Sequence, residues 1–95
     1  MPAYIFAQID VTNPDGYAEY MKRVPDVIKR FGGKVLARST TAAVLEGTAR
    51  TGRVVLVEFA TLEQGRKFWN SPEYQAVKKH SDGNAQRDIT LVEGN

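Results

Sequence analysis

Residues 53–60, RVVLVEFA, form a run in which the alternation of apolar and polar residues is almost lost. Successive side chains of a strand point to opposite faces. One face of this run carries Arg53, Val55, Val57 and Phe59, and the other carries Val54, Leu56 and Glu58. The segment 3–11, AYIFAQIDV, behaves alike near its start. Ala3, Ile5, Ala7, Ile9 and Val11 line one face, and Tyr4 and Phe6 open the other before Gln8 and Asp10 turn it polar. Ile89 and Leu91 likewise oppose Thr90 and Val92. An antiparallel sheet with one wet face shows cleaner alternation than this. Both faces of this sheet therefore need cover.

The chain has 95 residues. That is one domain, spanning 1–95, and a domain of this size buries only about 60–65% of its unfolded surface. Its own helices can shield one face of a sheet. The other would expose an apolar patch that a soluble monomer rarely tolerates. A second copy related by a two-fold axis is the economical cover, and a homodimer is expected. The competing reading is a monomer shielded by the loop at 40–52.

The helices that cover the first face are readable. TNPDG follows the first strand, with Asn13 as N-cap and Pro14 at the first helical position. Tyr17, Tyr20, Met21, Val24, Val27, Ile28 and Phe31 recur at three- and four-residue spacing, which predicts one amphipathic helix. Pro25 lies inside it and should kink it or remove one backbone bond without ending it. Gly32-Gly33 stops it. KVLARS, 34–39, reads as a second strand, and AVLEG, 43–47, either continues it past a bulge or forms a short piece of its own. TARTG is a turn.

A second helix is expected from Thr61, which has capping-box spacing to Gln64, with Leu62, Phe68 and Trp69 as its apolar contacts. Asn70-Ser71-Pro72 restarts the chain into a further helix that turns Tyr74 and Val77 inward. Ser81-Asp82-Gly83-Asn84 ends it, and DITLVEG, 88–94, is the last strand. The order β-α-β-β-α-β is the ferredoxin-like α+β pattern: a four-stranded antiparallel sheet with helices on one face. The most apolar strands, 3–11 and 53–60, belong in its centre.

Composition removes several function classes. With no Cys there is no disulfide and no thiolate metal site, which fits a cytoplasmic protein. MPAYIFAQID has no signal-peptide pattern, and no run is long and apolar enough to span a bilayer, so no membrane association is expected. The net charge is only +2, and Lys and Arg are scattered. Without a basic stripe interleaved with aromatics, no nucleic acid partner is expected.

Chemistry is written faintly. His80 is the one histidine, and no metal-ligand spacing surrounds it. It is either a general base near neutral pH or an exposed cation suited to the last turn of a helix. Glu58 ends a hydrophobic strand, so it should be paired, with Arg38 or Arg53, or line a pocket with a raised pKa. Glu58 and His80 are the two candidate catalytic residues. Tyr17, Tyr20, Trp69 and Tyr74 have polar tips that can line a pocket between sheet and helices, although aromatics at helical spacing are first of all core. Tyr17, Tyr20, Arg38 and Trp69 are the candidate ligand-binding residues. There is no phosphate-cradling glycine loop and no nucleophile elbow, so no metal and no nucleotide cofactor is expected.

VLEG (44–47), VEF (57–59), SPEYQ (71–75) and LVEG (91–94), with GGK after the first helix, resemble the family called domain of unknown function 1330, over nearly the whole chain. The resemblance implies a dimeric α/β barrel, in which two ferredoxin-like sheets face each other with helices outside. Its relatives by fold include cofactor-free monooxygenases, isomerases and dehydratases. Such relatives often carry an Arg after the SPEYQ element. Here Lys79-His80-Ser81 stands there, so no role of that Arg transfers. Two functions follow: a barrel binding or transforming a small organic molecule without cofactor, or a non-catalytic dimeric ligand-sensing or interaction module.

Overall fold

The computed structural model describes residues 1–48 and 52–94. Its strands are β1 (Ala3–Val11), β2 (Lys34–Ser39), β3 (Arg53–Phe59) and β4 (Ala85–Glu93), and its helices are α1 (Pro14–Arg30), α2 (Leu62–Asn70) and α3 (Pro72–Lys78). All strand pairs are antiparallel in the order β2-β3-β1-β4. The two most apolar strands thus hold the centre, as expected. The helices pack on one face only, giving a slab about 16 Å thick and 31–33 Å across.

The helix boundaries follow the sequence signals. The Asn13 side chain accepts from the Gly16 N–H at the start of α1. Asn84, in the turn before β4, braces the same end: its carbonyl accepts from the Thr12 and Asn13 N–H groups, and its side chain accepts from Asn13. At the other end the Gly33 N–H reaches the Ile28 carbonyl and the Gly32 N–H the Lys29 carbonyl. This is a Schellman motif, and it requires the positive φ of 79° that Gly32 supplies. Pro25 lies inside α1 without ending it. Packing of Val27 and Ile28 beyond it outweighs an intrinsic cost of about 3 kcal/mol. Thr61 caps α2 through the Gln64 N–H, but the box closes elsewhere: the Gln64 side chain donates to the Phe31 carbonyl at 2.6 Å, joining α2 to the end of α1. Ser71 caps α3 through the Tyr74 N–H.

Two expectations need correction. AVLEG, 43–47, is neither a continuation of β2 nor a strand: it is irregular, with Leu45 96% exposed. The bulge lies earlier, between Val35 and Ala37. The last strand begins at Ala85, three residues before the DITLVEG run. The turn placed at TARTG falls on 48–52, of which 49–51 lie outside the described residues.

The core lies between the sheet and the helices. Ile5, Ala7, Ile9, Val57 and Phe59 from the sheet meet Tyr17, Tyr20, Val27, Ile28, Phe68 and Tyr74 from the helices. Fully burying a ring such as Phe59 or Phe68 stabilises by about 1.5–3 kcal/mol. The opposite face carries Tyr4, Phe6, Gln8, Leu56, Thr90 and Val92 in one shallow trough, with Phe6 38% and Val92 47% exposed.

Candidate functional site

A cavity of about 90 Å³ lies between α1 and the helix-facing side of the sheet. Valine and isoleucine side chains make most of its floor and Met21, Val24 and Pro25 of α1 part of its roof. Tyr17, Tyr20, Arg38 and Trp69, the residues expected to bind a ligand, all line it. So do Tyr74, Arg53 and Arg87.

Strand parity explains the set. On β1 the odd residues face the helices, and pairing carries that face across the sheet. Arg53 of β3 and Arg87 of β4 both stand opposite Ile9, one on each side. Arg38 reaches the same face because the bulge in β2 brings it opposite Val55. Arg38 is exposed, whereas Arg53 and Arg87 are half-buried.

The aromatic residues form a continuous wall. Tyr17 stacks on Tyr20 with ring centres 5.1 Å apart, Tyr20 meets Tyr74 edge-on at 6.4 Å, and Trp69 lies 4.9 Å from Tyr74. The Tyr20 and Tyr74 hydroxyls are 3.0 Å apart. Arg87 closes the group: its guanidinium carbon lies 5.0 Å from the centre of the Tyr20 ring, and its Nη2 donates to Tyr74 Oη at 3.5 Å. Burial, then the neighbouring Tyr74, pushes the Tyr20 phenol well above the ordinary tyrosine range, against the lowering effect of Arg87. Burial raises Tyr17 as well, helped by Tyr20 and opposed by Arg87 and Arg53. The Tyr17 and Tyr20 phenols are therefore protonated at neutral pH, and a guanidinium is a permanent cation.

Neither candidate catalytic residue lies in this cavity. Glu58 is on the opposite face of the sheet, across from Tyr4 on β1 and Lys34 on β2. Arg38 and Arg53 point to the helix side, so the expected pairing with either is not formed. His80 sits in the turn after α3, where its carbonyl accepts from the Asn84 side chain. Arg87 was the residue hardest to foresee, because it precedes the obvious β-run. The signal was there in the alternation Ala85, Arg87, Ile89, Leu91, which places it on the core-facing side.

Among the described residues no group of three or more His, Cys, Asp or Glu side chains is placed to hold a metal ion. No helix among them is long and apolar enough to cross a membrane.

The fold recurs in solved structures. A protein of unknown function from Rhodopseudomonas palustris superposes with a TM-score of 0.81 at 17% identity, covering 99% of this chain and 82% of that one. SnoaB, a cofactor-independent oxygenase from Streptomyces nogalater, gives 0.67 at 10% identity, with coverage of 99% and 93%. A dimeric protein of unknown function and ferredoxin-like fold from Bacteroides fragilis gives 0.67 at 9%, with 98% and 96%. At such identities the likeness is one of fold. No curated protein matches the sequence. The family model described as "Domain of unknown function (DUF1330)" matches residues 2–95, and the chain belongs to that family.

Proposed function

We propose that this protein is a homodimer, joined through the helix-free faces of its sheets, that binds a small organic molecule in the cavity between sheet and α1. The observation that carries the ligand-binding half is the cavity itself, an apolar chamber whose lining includes Tyr17, Tyr20, Tyr74, Arg38, Arg53 and Arg87. Ligand sites combine these features: mostly apolar walls and a few oriented polar groups. The dimer is supported by the trough of Tyr4, Phe6, Leu56 and Val92, apolar surface that a solvated sheet face does not normally carry. The Bacteroides fragilis protein of like fold is described as dimeric.

Cofactor-free chemistry on the bound molecule is one form of this function, and SnoaB offers the precedent in fold. The lining favours the second form, a cytoplasmic ligand-sensing module. Among the described residues the cavity walls bring no carboxylate and no imidazole, and Tyr20 is held protonated, so these residues supply hydrogen-bond donors without a general base.

Two measurements test the reading. A thermal-shift screen against small metabolites should find compounds that raise Tm, because a ligand that binds only the native state stabilises it. A screen with no such compound counts against the ligand site. Light scattering at micromolar concentration should give twice the chain mass. Leu56→Glu should give a monomer or insoluble protein, and a soluble dimer of this variant would overturn the proposed interface.

A further inference from the structure

Arg53 and Arg87 flank one residue of the central strand. Both pair across from Ile9, from β3 on one side and β4 on the other. With neighbouring strands about 4.8 Å apart, their Cα atoms are about 10 Å apart. Long side chains on one face at that spacing reach common space, and both line the cavity. Tyr17 feels both guanidinium charges.

Two like charges in a half-buried, largely apolar site repel each other and lose hydration. Proteins ordinarily offset this with a carboxylate, and among the described residues none lines this cavity. Each arginine also has one N–H nitrogen that is shielded from solvent and, among the described residues, hydrogen-bonded to no group: Nε of Arg53 and Nη1 of Arg87. A buried donor without an acceptor is uncommon and calls for an explanation. The rest of Arg87 is well held, by the Tyr20 ring and the Tyr74 hydroxyl. Nη1 is thus left over from a fixed guanidinium.

From these orphan donors, the paired positive charge and the apolar walls, we infer that the cavity binds a short-chain organic acid as its anion. Its carboxylate lies between Arg53 and Arg87, and its hydrocarbon part lies against Ile9, Val55 and the tyrosine wall. This deepens, and rests on, the ligand-binding reading above. An anion supplies both missing elements, charge and acceptor oxygens. A carboxylate has two oxygens, one for each arginine. Size sets the chain length: at about 10–15 Å³ of such space for each water-sized group, about 90 Å³ takes roughly six to nine non-hydrogen atoms, the size of butyrate or isovalerate.

The test compares butyrate and isovalerate with the neutral isostere butyramide and with inorganic phosphate. Thermal shift and Arg side-chain NMR are read on the unmodified protein. The acids should raise Tm in a concentration-dependent way and move the Arg53 Nε–H resonance. Butyramide should bind about tenfold or more weakly, since it forgoes charge-assisted bonds. Arg53→Met and Arg87→Met should each remove that preference. The NMR shift keeps the test decisive should either variant fail to fold. Equal binding of butyramide would overturn the anion assignment and leave the ligand site standing. Phosphate binding as well as butyrate would overturn the organic-acid class. No response to any probe, while the broader metabolite screen finds ligands, would refute this inference alone; silence in both would refute the ligand site with it.

Discussion

The Tyr20 and Tyr74 hydroxyls, from residues 54 positions apart in sequence on α1 and α3, meet 3.0 Å from each other in the interior. The pair is unequal. Tyr74 Oη also accepts from Arg87, whereas Tyr20 offers Arg87 its ring face. Tyr74→Phe therefore removes a partner from two groups at once, the Tyr20 hydroxyl and Arg87 Nη2. It should cost about 1–3 kcal/mol in urea unfolding. Tyr20→Phe leaves Tyr74 with Arg87 and should cost less. The double variant should be little worse than Tyr74→Phe, because the two share one network. Equal losses for the single variants, adding fully in the double, would show that the hydroxyls do not interact.

Stability should fall in alkali, and the sign follows from the direction of the shifts. The Tyr20 phenol is raised from its ordinary value of 10.0, first by burial and then by Tyr74, and Tyr17 is raised chiefly by burial. Below about pH 10 both the folded and unfolded chains keep these protons, so stability there is unaffected. Above it the unfolded chain releases them first, and unfolding gains the advantage through the window up to the folded pKa. Urea midpoints at about pH 8 and about pH 11 should differ for the natural protein and differ less for Tyr20→Phe. A Tyr20→Phe variant with an undiminished alkaline drop would place the effect elsewhere.

Gly65 is buried in α2 where the helix crosses β4. A Cβ there would stand 2.8 Å from Leu91 Cδ1. For alanine two effects oppose: about 1 kcal/mol of helix propensity gained, against a contact that Leu91 can relieve by turning its side-chain end. Valine adds two more carbons in a stiff side chain and should cost about 1–3 kcal/mol by overpacking. Thermal unfolding of Gly65→Val with an unchanged Tm would mean that the two elements separate freely.

The architecture was legible because it rests on local signals that agree with one another. Asn13-Pro14, Gly32-Gly33, Thr61 and Ser71-Pro72 mark helix ends by backbone chemistry that needs no knowledge of the rest of the fold. The site was only half legible, for a different reason. Tyr17, Tyr20 and Trp69 reach the cavity from helices whose apolar stripe is plain in the sequence. Arg87 reaches it from Ala85-Gln86-Arg87, residues of weak strand preference that become strand by pairing with Ile9, Asp10 and Val11. Arg38 depends on a bulge between Val35 and Ala37, which shifts the parity of every residue after it. Arg53 was in view only as a partner for Glu58, yet one strand cannot turn residues 53 and 58 to the same face.

Glu58 illustrates that parity and gives the sharpest check on the register. Opposite Tyr4 and Lys34, on the helix-free face, it is separated from Arg53 and Arg87 by the sheet itself. A cross-strand Lys–Glu pair in this position contributes about 0.2–1 kcal/mol. Glu58→Gln should therefore lower stability by no more than about 1 kcal/mol and leave the affinity of any cavity ligand unchanged. Arg87→Met in the same assay should weaken that ligand. The contrast isolates the two faces with one pair of variants, since each removes a charge from the sheet but only one removes it from the cavity. A Glu58→Gln protein that unfolds normally yet loses ligand would put this carboxylate in the site, which requires β3 to slip by one residue against β1. Such a slip would also turn Val57 and Phe59 out of the core, at a cost of several kcal/mol that unfolding experiments would register.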